Sequence, residues 1–315
     1  MEGKIRYKYP KVQVFIRLTF VLRKRTFVET KFRTMKTVLS VVSWNVEHFK
    51  KPAASATVKE KKAFNARRTR VIEFLSRFEP DVIALYEVEG KEVFTDLTAI
   101  LPGYNFHITE GPQTQEILIG VRHGISAFFT QKLEFKSGGS YLRPGALLTI
   151  TLDERYTLLF LHTKSGNDPR GFGLRDDMLK RAIQFRKVLN KSEQAAEGAN
   201  YLFMGDLNTM GMYYPYDSSI NVDVELKRND NFASRYYGMK RLKKSHLYTY
   251  CNGSTSSIPK SDLDHVYASK HLKFRTFADS EVQVAGWVDT ASDAELDKWI
   301  RDYSDHSLIY LEIVK

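Results

Sequence analysis

Cysteine is nearly absent. Cys251 stands alone in 315 residues, so the chain closes no disulfide on itself, and a four-cysteine zinc site is excluded. That usage suits a reducing compartment, and a cytoplasmic location is expected. A membrane span is missing too: the apolar stretch from Val12 to Leu22 is too short and is broken by Arg17. A secretory signal does not fit, because Arg23, Lys24 and Arg25 follow where a small-residue cleavage site belongs. Internal repeats and low-complexity linkers are likewise absent.

Acids are scarce at one end only. Residues 1–36 hold 11 Lys/Arg and 2 Asp/Glu, a net of +9, out of 48 and 37 in the whole chain. The other 279 residues therefore carry 37 bases and 35 acids, a net of only +2. The overall charge of +11 belongs mostly to an N-terminal extension or arm, so it says little about a nucleic-acid site in the body. Met35 precedes an apolar strand. One reading makes it the natural start, with residues 1–34 an upstream extension. The other makes 1–36 a true basic arm that touches a phosphate backbone or packs as an extra strand.

What is present is ordinary globular material, 43% hydrophobic and 27% charged, at a length that suits one large α/β domain or two small ones. Val38–Val42 is a valine-rich apolar run, as a strand buried on both faces should be. Helical spacing of Val71, Ile72, Phe74, Leu75 and Phe78 predicts a helix over 58–78, stopped by Pro80. Asp81–Leu85 reads as the next strand and 90–100 as a short helix. Five short strands then crowd between 104 and 162, joined by glycine-containing turns. An amphipathic basic helix is expected over 174–190, a buried strand at Tyr201–Met204, a loop-rich stretch over 209–260, and closing strands at Leu263–Tyr267 and Leu308–Ile313. Strands in succession with few helices between them favour mainly antiparallel sheets packed face to face, with helices outside: an α/β sandwich.

Polar residues recur where apolar strands end. Asn45 and Glu47 lie in Ser-Trp-Asn-Val-Glu, Glu87 in Leu-Tyr-Glu, His162 in Leu-His-Thr-Lys-Ser-Gly, Asp206 and Asn208 in Gly-Asp-Leu-Asn, and Asp305 and His306 in Ser-Asp-His. Strand ends bring side chains to one rim of a sheet, where carboxylates and amides share a hard cation; such oxygen donors suit magnesium or manganese. Singly, each piece reads as a turn, a cap or a solvated acid. Their joint, ordered occurrence carries the weight.

That order resembles the endonuclease/exonuclease/phosphatase superfamily, which includes DNase I, abasic-site endonucleases, neutral sphingomyelinases and inositol polyphosphate 5-phosphatases. The likeness covers residues 37–315. It implies a DNase I-like catalytic domain in which Glu87 is the main metal ligand, with Glu47 and Asp305 beside the metal. It further implies that Asn45 and Asn208 contact the phosphate, that Asp206 and Asn208 act on the nucleophile, and that Asp264, in Ser-Asp-Leu-Asp-His-Val-Tyr, orients His306. His162 matches the mid-chain histidine of the DNase I and sphingomyelinase branches, and Arg143 matches a phosphate-contacting arginine. Two departures stand out. Tyr86 occupies the position before Glu87 where the family usually has glutamine. The tryptophan-cysteine-aspartate-arginine pattern of inositol 5-phosphatases is missing.

The resemblance implies a divalent-metal-dependent phosphodiester hydrolase with Mg2+ or Mn2+ as cofactor. A nuclease acting on DNA or RNA comes first. A sphingomyelinase-like enzyme or a small-molecule phosphodiesterase or phosphatase is the alternative, and a binding module without catalysis comes last. For a nucleic-acid substrate, Lys164, Arg170, Arg175, Lys180 and Arg181 offer a basic groove or a solvated helix face. Met210, Met212, Tyr213, Tyr214 and Tyr216 offer a loop for stacking bases or for docking on a lipid surface.

Overall fold

The computed structural model describes residues 36–136, 139, 142–193 and 196–315. The basic arm, apart from Lys36, lies outside the described residues, as does Met35. In chain order the elements are β1 (Thr37–Lys50), α1 (Val58–Ser76), β2 (Val82–Glu89), α2 (Lys91–Ile100), β3 (Tyr104–Ile108), β4 (Glu116–Arg122), β5 (Ser126–Lys132), β6 (Gly145–Thr151) and β7 (Arg155–His162). Then come α3 (Pro169–Ser192), β8 (Asn200–Asp206), α4 (Val222–Tyr237), β9 (Met239–Arg241), β10 (Asp264–Ser269), β11 (Lys273–Phe274), β12 (Gln283–Ala285), α5 (Asp293–Asp302) and β13 (Leu308–Val314).

Two sheets result. One runs β11-β13-β1-β2-β4-β3, with β12 also on β13; the other runs β5-β6-β7-β8-β10-β9. All pairings are antiparallel except β1–β2 and β7–β8, one parallel pair at the middle of each sheet. Each parallel pair is joined through a helix, α1 or α3, because parallel neighbours need a crossover. The succession of strands between 104 and 162 hides this: the chain holds two βαβ units, one per sheet.

The central strands are apolar on both faces. Val41, Val82, Ala84 and Tyr86 face Leu148, Leu158, Met204 and Val266 of the opposite sheet. The alternate residues Val42, Trp44, Ile83 and Leu85 pack on Phe64, Val71 and Leu75 of α1 and on Val93 and Leu97 of α2. On the far side Leu159, Leu161, Tyr201 and Phe203 meet Leu179, Ala182 and Ile183 of α3 and Ala233 of α4. The layers are therefore helix, sheet, sheet, helix, and the period-two alternation of β1, β2, β7 and β8 assigns each side chain to a layer.

Two helices were not expected. The stretch 209–260 contains α4, and α5 precedes the last strand. Helix α4 is built on polar residues with few core contacts, so its apolar periodicity is faint. Its ends are explicit: Asn221 accepts from the Val224 amide at 2.9 Å, and Gly238 closes it in the left-handed conformation. Among the described residues no helix is long and apolar enough to cross a membrane.

Candidate active site

Strand register assembles the site. In the parallel pairs Asn45 lies beside Tyr86 and His162 beside Asp206, while the antiparallel pair β8–β10 sets Asp206 beside Asp264. The C-terminal ends of β1, β2, β7 and β8 therefore share one rim, with the start of β10 between them. Both neighbours of β2 lose register around Glu87, which is left-handed at φ +61°. Such a bulge re-aims a side chain that would otherwise continue the strand alternation. Glu47, His48 and Asn208 are left-handed as well. Each such non-glycine residue costs about 1–3 kcal/mol, and their concentration at one rim marks a functional site.

At the centre the Asn45 amide donates to Glu87 Oε1 at 3.1 Å and to Asp206 Oδ2 at 3.0 Å. His162 Nε2 stands 3.4 Å from Asp206 Oδ2 and 3.9 Å from Glu87 Oε1. Asp206 Oδ1 accepts from the Asn208 backbone at 3.1 Å, and the Asn208 side chain donates to the Thr163 carbonyl at 3.2 Å. His306 Nε2 faces Asp206 Oδ2 at 3.7 Å, and its Nδ1 donates to Asp264 Oδ2 at 2.8 Å. The His306 backbone is pinned in turn, because Trp44 Nε1 donates to its carbonyl at 2.9 Å.

Glu87, His162, Asp206, Asn208 and His306 line one cleft of about 670 Å³, with Arg143, Gln115, Tyr250, Asp305 and the Ser165–Asn167 turn among its walls. Thus Asn45, Glu87, Arg143, His162, Asp206, Asn208, Asp305, His306 and, behind His306, Asp264 are gathered at one place. Glu47 stands at its edge, 3.8 Å from Arg67, and Asp305 bears on it electrostatically. Of the five cations proposed for a basic groove or solvated face, Arg175 cannot reach a substrate. Arg175 is fully buried against Glu225, while Lys180 and Arg181 pair with Asp176 and Asp177 of their own helix.

Burial pushes the Asp206 carboxyl up to about 7, with His306 opposing and Asp264 assisting. Burial also pulls on His306 in the opposite sense, but Asp264 and Asp206 outweigh it and leave the imidazole at about 10. His162 is driven well below the ordinary histidine range by burial and by the positive charges of Arg143 and His306, so it is neutral. Asp305 and Glu47 are both raised, chiefly by burial.

A ring of acids that resists ionisation is what a cation would relieve, and the donor set fits one. Glu87, His162 and Asp206 each offer one atom, all within 4.8 Å of one another. Arg143 adds a buried Nε with no hydrogen-bond partner among the described residues.

Two contributors carry no motif, and a third, Tyr86, sits inside one without a role assigned from sequence. Gln115, in the turn before β4, donates to Glu87 Oε2 at 2.8 Å. Arg67 of α1 donates to the carbonyls of Val46, Glu47 and Tyr303 at 2.7, 2.8 and 2.7 Å, tying the first strand end to the last. Tyr86 is buried between the sheets, its hydroxyl 3.0 Å from Ser43 Oγ. Its ring occupies the space beside Gly205, where a Cβ would sit 2.7 Å from the Tyr86 oxygen and 2.1 Å from the Leu161 carbonyl.

Residues 42–306 match the model of the Endonuclease/Exonuclease/phosphatase family. The chain belongs to this family. A search of curated proteins finds no match to it in sequence. Among solved structures it is similar in fold to truncated Caenorhabditis elegans TDP2, at TM-score 0.58 and 16% identity, over 88% of this chain and 97% of that one. D. rerio TDP2 complexed with single strand DNA product aligns at TM-score 0.56 and 18% identity, over 87% of this chain and 98% of that one. The human Nocturnin catalytic domain with bound sulfate anion aligns at TM-score 0.56 and 14% identity, over 89% and 97%. At such identities the likeness is one of fold, a DNase I-like sandwich.

Proposed function

We propose that the protein is a divalent-metal-dependent phosphodiester hydrolase acting on nucleic acid. The observation that carries this reading is the convergence of Glu87, Asp206, His162 and Asn45 within hydrogen-bonding or near-contact distances on one cleft wall, with His306 and Asp264 behind Asp206. Glu87 would hold the cation, with Glu47 and Asp305 adding negative charge nearby, which leaves Asp206 and His162 to act on the water and the phosphate. When bound, Mg2+ or Mn2+ supplies charge neutralisation on a non-bridging phosphate oxygen.

The protein groups divide the remaining work. His306 is protonated at neutral pH, so it donates hydrogen bonds and does not take the water's proton. Asp206, raised toward neutrality, is the group suited to accept that proton as the water attacks phosphorus in line with the leaving oxygen. Neutral His162, Asn45 and Asn208 donate to non-bridging oxygens, and Arg143 adds a charged donor from the cleft lining. A nucleic-acid substrate is supported by the fold shared with a TDP2 solved with single strand DNA product.

A substrate panel tests the reading. Plasmid, single-stranded DNA, RNA and sphingomyelin vesicles are incubated with Mg2+ or Mn2+. Metal-dependent cleavage of a nucleic acid, abolished in Asp206→Ala, is expected. Release of phosphocholine with no cleavage of any nucleic acid would overturn it.

A further inference from the structure

Beside the catalytic cleft, the one outer surface of α4 carries a row with no core function. Leu226, Asn229 and Ala233 face inward. Val224, Arg228, Asn231 and Arg235 follow one another at helical three- and four-residue steps on the opposite face, with Lys227 beside them, and with Phe232 and Tyr236 they line a shallow groove of about 450 Å³. Among the described residues Arg228 alone of the three cations makes an ion pair, with Asp176 at 3.4 Å. Tyr236 is 71% exposed. The row begins at the cleft: Val222, the first residue of α4, is itself a cleft-lining residue. From Val222 to Arg235 the helix rises about 20 Å.

The loop leading into α4 is exposed as well. Tyr213 and Tyr216 are 60% and 87% exposed, and the rings of Tyr214 and Tyr216 meet edge to face at 5.8 Å. The loop is nonetheless fixed in place. Met212 and Ile220 exchange backbone hydrogen bonds at 2.7 and 2.8 Å, and the Tyr213 amide donates to the carbonyl of Asn167 in the cleft wall at 2.7 Å. Exposed aromatics on a pinned loop lose little entropy on binding.

We propose that the Tyr213–Tyr216 loop and the Lys227/Arg228/Arg235 face of α4 form a track for single-stranded nucleic acid leading out of the cleft. Unpaired bases stack on the tyrosines, and backbone phosphates follow the cations. The inference rests on the nucleic-acid reading of the site and adds to it the form of the substrate and the side from which it enters. Stacking and phosphate contact are sequence-tolerant, and they need bases that are not paired in a duplex. A lipid surface is the poorer occupant. The loop's exposed aromatics are all tyrosines, with hydroxyls to keep wet, and none is the purely apolar side chain that inserts into a bilayer.

The test separates binding from hydrolysis. Fluorescence anisotropy of a labelled twelve-nucleotide strand, in Ca2+ or in chelator, reads affinity alone for the wild type, Tyr213→Ala/Tyr216→Ala and Lys227→Glu/Arg235→Glu. Each pair should weaken binding by about tenfold or more, and the charge pair should also flatten the dependence of log Kd on log salt by about 0.7 per lost phosphate contact. Hydrolysis of bis(p-nitrophenyl) phosphate, too small to reach the track, should be unchanged in both pairs. Wild-type affinity for the strand retained by both pairs would overturn the proposal. So would a wild type that ignores the strand but binds phosphatidylserine vesicles through these residues. Strand binding that depends on the track, with no cleavage of any diester, would uphold the track while sinking the hydrolase reading.

Discussion

His306 donates its Nδ1–H to Asp264 across 2.8 Å, and that contact decides which way the rest of the site is charged. With Asp264 beside it, the imidazole stays protonated up to about 10 despite its burial. Asp264→Asn removes the largest opposing influence and leaves burial to pull His306 down. The alkaline fall in activity, expected near pH 10 in the wild type, should then move toward neutrality, with kcat about 10²–10⁴ lower. A pH–rate profile of the two proteins checks this; an unmoved alkaline limb would remove His306 from the proton bookkeeping. The same raised value stabilises the fold. Its contribution is complete below the unfolded value of about 6.5 and is lost as pH climbs through 10.

Asp206 is shifted in the harmful direction. Its folded value near 7 exceeds the ordinary 3.8, so the protein without cation loses stability as pH rises from about 4 to 7, where the unfolded chain ionises freely. A cation relieves that cost only when the carboxylate is charged. Added Mn2+ should therefore raise Tm more at pH 8 than at pH 5.5, and Glu87→Gln should abolish most of the gain. Gln115→Ala, which removes the donor to Glu87 Oε2, should weaken Mn2+ binding by about 10–100-fold in calorimetry. Equal thermal shifts at both pH values would mean that the cation sits elsewhere.

Much of this was legible from the chain. The layered sandwich followed from short runs such as Val38–Val42, apolar but for Ser40, since strands buried on both faces lose the polar alternation of a half-exposed sheet. The polar strand ends named the residues that gather at the cleft, because a strand end is placed by topology as soon as its sheet is. Helix α4 was hidden for the converse reason: it buries few apolar side chains, so its caps, Asn221 and Gly238, were the only signal. Gln115 and Arg67 were invisible because their roles depend on which loop passes which strand. Arg175 was misplaced toward a basic groove because sequence shows a cation and not the acid, Glu225, that meets it fifty residues later.

Tyr86 and Gly205 are coupled through shared space. Gly205 has φ +137° and leaves no room for a Cβ against the Leu161 carbonyl and the Tyr86 hydroxyl. Gly205→Ala should cost several kcal/mol, roughly the upper range for a strained, overpacked core position, because the closest clash is with backbone. Tyr86→Phe, which loses only the hydroxyl's bonds to Ser43 and the Met204 carbonyl, should cost about 1 kcal/mol. Urea unfolding measures both. Near-equal losses would show that the sheets separate to admit the methyl group.

The buried pair Arg175–Glu225, 2.7 Å apart, does more than balance charge. Arg175 also donates to the carbonyls of Gly166 and Gly211 at 2.9 Å, and Glu225 accepts from the Gly211 amide at 2.7 Å. The pair therefore ties the turn on one cleft wall to the loop that leads into α4. Arg175→Met leaves an uncompensated buried carboxylate and should cost about 3–5 kcal/mol. Pairing it with Glu225→Leu removes that charge but leaves the Gly166 and Gly211 carbonyls without donors, so only part of the stability should return. The same double variant should raise KM for an oligonucleotide more than it lowers kcat, because the centre at Asp206 is built on strands and the displaced segments are loops. Full recovery of stability with an unchanged KM would reduce the pair to a dispensable core contact.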